Sequence, residues 1–118
     1  VLPTEHGYEK WSLFPNEMKR LTANIKNTNA RTIIISGDRH KAAIYNDNNL
    51  FEVTSSSMNR PIKANVIMRA DETDALMVGK VFNKENYGLL VIDSKLKTLQ
   101  MSIKNIDGNV VSSVDLKL

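Results

Sequence analysis

The chain has 118 residues, one domain's worth, and at 42% hydrophobic and 25% charged it has the make-up of a globular protein with a modest core. Its net charge is only +3, from 16 basic and 13 acidic residues, and the basic residues are scattered without interleaved aromatics, so no nucleic-acid partner is expected. It has no cysteine, which excludes disulfides, thiolate chemistry and zinc-finger spacing, and no stretch approaches the roughly 18 apolar residues of a spanning helix, so no membrane partner is expected.

The chain begins at Val1 in what reads as mid-protein sequence, with no visible signal peptide, which predicts a processed chain or an excised fragment. Residues 1–13 read as irregular. Phe14, Met18, Leu21 and Ile25 then recur at helical period, and Asn16, Lys19, Arg20 and Lys26 fill the opposite face. Pro15 suits a first helical turn and Asn27-Thr28-Asn29 a stop, so the pattern predicts a helix over about 14–28. Arg31–Ser36 is a continuous β-branched run, the pattern of a strand buried on both faces of a parallel sheet. Ala42–Tyr45 reads as a short strand, Asn46–Asn49 as a turn, and Leu50–Thr54 as another strand. Residues 58–86 are expected to be mostly loop, with a short strand near Asn65–Met68 and a short helix over Asp71–Val78. Gly88–Asp93 is an apolar strand. Leu99, Met101 and Ile103 alternate with Gln100, Ser102 and Lys104, a strand with one wet face. Asp107-Gly108 predicts a two-residue hairpin turn into Val110–Leu118, where Val114, Leu116 and Leu118 alternate. A mixed sheet is expected, with the helix packed on one face, and a mostly β remainder: a mixed α+β or α/β fold.

Gly37-Asp38-Arg39-His40 follows the buried-looking strand, and in open α/β sheets ligands bind beyond the carboxyl ends of strands. If the backbone there is extended, Asp38 and His40 face one side and Arg39 the other. A carboxylate and an imidazole suit Zn, Fe or Mn, and two ligands at i and i+2 can serve neighbouring ions about 3.5–4 Å apart. Gly37 permits a sharp exit from the strand. From these four residues alone, the alternative is a turn aspartate and a surface histidine.

A longer set of segments occurs in order: WSLFPNEMKRL, TIIISGDRHKAAI, LFEVTSSSMN, ENYGLLVID and LQMSIKNIDGNVV. From about residue 2 to residue 112 this set resembles the C-terminal part of the alkaline phosphatase D (PhoD-like) family of calcineurin-like metallophosphoesterases. The SGDRH segment and the helix before it are the most specific parts. The resemblance implies a four-layer αββα sandwich, of which residues 1–118 would be the C-terminal portion of one domain. It implies metal-dependent hydrolysis of small phosphoesters at a pair of divalent or trivalent ions (Fe, Zn, Mn or Ca). Asp38 and His40 then match the last metal motif, each serving a different ion, with aspartate where the wider superfamily has histidine. The superfamily's upstream motifs have no counterpart ahead of residue 37, so the parent enzyme is expected to be longer. The isolated chain is expected to be inactive, not to retain its metals, and to self-associate through strand edges that a cut sandwich leaves open. Family members are often exported, which favours a periplasmic or secreted parent whose signal lies outside this chain. The competing class is a non-catalytic, β-rich binding or accessory module without metal.

Other candidates carry two readings each. His6 is a candidate catalytic residue at the rim of the site, or a loop histidine. Trp11 anchors the helix to the core, or stacks near the substrate entrance. Arg39 forms an outward ion pair, or contacts phosphate through its planar fork. Thr54, Ser55 and Ser56 line the pocket and orient a ligand, or form a hydrogen-bonded turn. Asp71, Glu72 and Asp74 read as a solvated face. Met18 and Met101 read as core.

Overall fold

The computed structural model describes residues 1–62 and 72–118. Among them, a 3-10 turn at Trp11–Leu13 leads into helix α1 (Pro15–Lys26). Seven strands follow: β1 (Ile33–Ser36), β2 (Ala42–Asp47), β3 (Leu50–Ser55), β4 (Met77–Phe82), β5 (Asn86–Asp93), β6 (Thr98–Asn105) and β7 (Val110–Lys117). The fold is mixed α+β and mostly β. No helix among the described residues is long and apolar enough to cross a membrane.

Helix α1 starts with Pro15 in its first turn, where no N–H is needed, and carries Glu17 near its start and Lys26 at its end, both favourable to the helix dipole. It stops at Asn27, with the Thr28 N–H and hydroxyl both donating to the Ile25 carbonyl. Met18 packs on a cluster made by Leu2, Ala43 and Tyr45, which places the helix on one face of the first sheet, as expected.

That sheet runs β1-β3-β2-β4, with β1 parallel to β3 and the other pairs antiparallel. Strand β1 has the parallel partner its sequence predicts, but it is an edge strand. Ile33 reaches the inter-sheet core and Ile34 the helix-side cluster, while Ile35 is 70% exposed. A continuous apolar run does not reveal whether a strand ends up central or at an edge. Strands β2 and β3 are joined through Asn48 and Asn49, whose φ values of 50° and 71° make the two-residue turn that matches strand twist.

The expected helix over 71–78 is absent from its described part: Glu72–Asp74 is irregular, and Met77–Phe82 is β4, paired with β2. Val78, Val81 and Phe82 suit a strand, and the open edge of β2 supplies its hydrogen bonds. The expected strand near Asn65–Met68 lies outside the described residues.

The second sheet is the antiparallel meander β5-β6-β7. Leu99, Met101 and Ile103 face inward, as their alternation predicts, against Ala42, Ile44, Phe51 and Val53 of the first sheet. Val114 and Leu116 pack on the same core, whereas Leu118 is half exposed. The β6–β7 turn is longer than Asp107-Gly108 alone. Asn105 donates its N–H to the Asn109 carbonyl at 3.0 Å, closing a loop of residues 106–108 that ends on Gly108 at φ +82°. Glycine in the left-handed region after a turn is the usual three-residue hairpin solution. The layers are thus helix, first sheet, second sheet, and no helix of the described residues covers the outer face of the second sheet.

Candidate functional site

The link from β1 to β2 is residues 37–41, at the carboxyl end of β1. It is not extended. Asp38 (φ 65°) and His40 (φ 53°) both lie in the left-handed region, which non-glycine residues occupy at a cost. These torsions, not strand alternation, bring Asp38 and His40 to one cleft of about 240 Å³, together with Tyr8, Glu9, Arg39 and Lys41. Arg39 therefore does not point away from its neighbours. Its N–H donates to Ser56 Oγ at 3.0 Å, which pins the link to the segment after β3.

His40 is held at both ends. Ile62 donates its N–H to the His40 carbonyl at 3.0 Å, and His40 Nδ1 lies 2.6 Å from the Arg60 carbonyl oxygen. A carbonyl only accepts, so Nδ1 carries the proton, and in the neutral ring Nε2 keeps a lone pair for a ligand.

Arg39 makes the ion pair expected of it, but inward. Its Nη2 lies 2.5 Å from Glu72 Oε2, and the Glu72 side chain is only 7% exposed. Lys41, equally buried, pairs with the same carboxylate oxygen, and the Tyr45 hydroxyl donates to Glu72 Oε1 at 3.4 Å. Glu72 is therefore no part of a solvated face. Burial alone would raise its pKa, but the Lys41 hydrogen bond and the Arg39 charge outweigh that and hold it below the usual carboxylate value. The Tyr45 phenol is pushed up, first by burial and then by the Glu72 charge. Asp74 is also structural: it accepts from the N–H groups of Thr4, Glu5 and Leu76, tying the first residues of the chain to the segment before β4. Those bonds lower its pKa against the opposing effect of burial.

His6 is buried, and its Nδ1 accepts the Tyr8 N–H at 3.3 Å, which sets Tyr8 at the rim of the Asp38–His40 cleft. Burial, followed by the positive charge of Arg39, lowers its pKa. Trp11 is 39% exposed and opens onto a second cleft of about 440 Å³, which shares Glu9 and Asp38 with the first. Gly37 stands at the end of β1, where an added Cβ would meet Ser56 Cβ at 3.5 Å.

Thr54 and Ser55 line neither of these clefts. Thr54 is buried and shares a 2.7 Å hydrogen bond with Ser36 Oγ, which itself donates to the buried Glu52. Ser55 Oγ donates to Asn86 Oδ1 at 2.8 Å, and Gly88 would place an added Cβ 3.4 Å from Ser55 Cβ, so Ser55 belongs to the seam between the sheets. A larger cleft of about 580 Å³ lies at the other end of the first sheet, between the end of α1, the Asn48–Asn49 turn and Leu118. Among the described residues it contains no histidine, and Asp47 is its one acidic side chain.

Sequence reasoning did not find the Lys41–Glu72–Arg39 cluster or the place of Tyr8 and Glu9 beside Asp38. The partners are far apart in the chain, and no local spacing marks them. No protein-family model matches the chain, and no curated protein matches it.

Proposed function

We propose that this chain contributes the last metal motif of a metal-dependent phosphoesterase, with Asp38 and His40 as its ligands. The observation that carries this reading is the fixing of His40. A metal-ligating histidine usually donates its other ring N–H to a carbonyl or carboxylate, which sets the tautomer and orients the ring. The Arg60 carbonyl does this for His40, and Asp38 lines the same cleft. The left-handed torsions at both residues are the kind of local strain that collects at functional sites.

A carboxylate and an imidazole fit a Zn, Fe or Mn ion. Among the described residues no group of three or more His, Asp or Glu gathers to hold one. Two donors are only part of a two-metal site, so the remaining ligands are assigned to a longer parent, and the isolated chain holds metal weakly. When bound, the ions supply charge neutralisation for phosphoryl transfer. From this chain, Asp38 and His40 offer the two donors, the pairing of Arg39 and Lys41 with Glu72 holds the link that carries them, and Tyr8 lies at the rim. The two face-to-face sheets with a helix on one side are compatible with three layers of the proposed four-layer sandwich.

The test is hydrolysis of p-nitrophenyl phosphate and of a phosphodiester by the full-length parent. Asp38→Ala and His40→Ala are each expected to lower kcat/KM by at least about 100-fold, beyond the range seen for residues that only orient a ligand. Unchanged activity in both variants would sink the assignment and leave a non-catalytic module.

A further inference from the structure

Thr54, Ser55 and Ser56 run off the end of β3, and their hydroxyls go to different partners. Thr54 bonds to Ser36 within the first sheet, and Ser55 to Asn86 in the seam between the sheets. Ser56, just past the strand, turns to the β1–β2 link. Its Oγ accepts the Arg39 N–H at 3.0 Å and donates to the Lys41 carbonyl at 3.4 Å, so one hydroxyl holds the backbone on both sides of His40. The same stretch of chain continues to His40 itself, whose carbonyl accepts the Ile62 N–H and whose ring meets the Arg60 carbonyl. Ser56 also packs close to Gly37, where an added Cβ would lie 3.5 Å from its own.

Left-handed torsions at non-glycine residues persist only where the surroundings over-determine them. The link has such torsions at Asp38 and His40, and the bonds that meet its backbone and the His40 ring come from residues 56, 60 and 62. The Arg39 N–H belongs to the peptide plane that follows Asp38, so its bond to Ser56 sets how Asp38 is turned. Among the described residues no hydrogen bond holds the Asp38 carboxylate, which leaves its direction to the backbone. The His40 ring has its own anchor in the Arg60 carbonyl, whereas Asp38 depends on Ser56.

We infer that Ser56 is a positioning residue: its hydroxyl holds the link in the conformation in which Asp38 and His40 present their donors to one cleft. This inference rests on the metal reading of those two residues and adds to it the group that sets their geometry.

The test is Zn²⁺ titration of the 118-residue chain, followed through the ring resonances of His40, for the wild type, Ser56→Ala, Ser56→Thr and Ser55→Ala. Ser56→Ala is expected to weaken zinc binding by about 10- to 100-fold, the usual cost of removing an outer partner of the ligands. Ser56→Thr keeps the hydroxyl and is expected to restore it. Ser55→Ala is expected to lower the urea midpoint and to leave zinc binding unchanged. The wild type supplies a reading that needs no variant. Metal that binds only the clamped link suppresses its local opening, so at about ten times the dissociation constant the Arg39 amide is expected to exchange about tenfold more slowly. The Asn86 amide, bonded to the Ser57 carbonyl, is expected to slow less.

Zinc binding that falls no further in Ser56→Ala than in Ser55→Ala overturns the clamp and leaves Asp38 and His40 as ligands. So does an Arg39 amide whose exchange is the same with zinc bound, and this reading decides alone where Ser56→Ala fails to fold. Zinc binding untouched by Asp38→Ala and by His40→Ala overturns the clamp and the metal reading together.

Discussion

Glu72 is the residue on which the site's surroundings depend. Its buried carboxylate pairs with Arg39 and Lys41, two side chains that also line the candidate cleft. Removing one partner of a buried ion pair leaves uncompensated charge, so Glu72→Ala is expected to cost about 3 kcal/mol in chemical denaturation. The same carboxyl has a lowered pKa in the folded state, which means the unfolded chain binds its proton more readily. Its contribution is complete above the ordinary value of 4.5 and is lost as pH falls through the lower folded value. In Glu72→Gln this part of the acid limb of stability against pH is expected to vanish. An unchanged limb would show that the pairing contributes nothing. Asp38 and His40 were legible because a glycine, a carboxylate and an imidazole follow an apolar run. Glu72 was not, because its partners come from the β1–β2 link, far away in the chain. The torsions that bring Asp38 and His40 together were equally hidden, since an aspartate at φ 65° has no sequence signature of its own.

At the scale of elements, legibility followed periodicity. Helix α1 and strand β6 carry clean 3.6- and 2-residue patterns and formed where expected, as did the asparagine turn between β2 and β3. Strand β4 was misread because Met77-Val78-Gly79-Lys80 has neither period. Gly79 sits at φ +81°, beside the register shift in the β2–β4 pairing. That pairing comes from the free edge of β2, a tertiary fact. The β6–β7 turn was placed correctly, but its length depends on Gly108 at φ +82°. Gly108→Ala forces a left-handed alanine and is expected to destabilise the protein by about 1 kcal/mol, read as a lower denaturation midpoint. Gly7→Ala, where an added Cβ meets nothing within 4 Å, is the control and should change little. Equal shifts in the two variants would remove the turn's special status.

For the whole molecule, sequence order and spatial order diverge between the two sheets. In the first, β1 pairs with β3, β4 joins across to β2, and a long stretch of chain separates β3 from β4. In the second, β5, β6 and β7 pair strictly in sequence through short turns. The inter-sheet core, with Met101 and Ile103 fully buried against Ile44 and Val53, exists only once both are in place. Which faces would meet was readable from alternation in β6, but that β1 would stand at an edge was not. The meander has a further consequence, for time rather than for shape. Contacts between chain neighbours form before those that must close long loops, because loop closure costs entropy before any pairing repays it. Residues 86–118 are therefore expected to gain amide protection before β1 and β4, whose pairings close the long loops of the first sheet. Pulse-labelled hydrogen exchange showing β1 and β4 protected as early as β6 would refute that order.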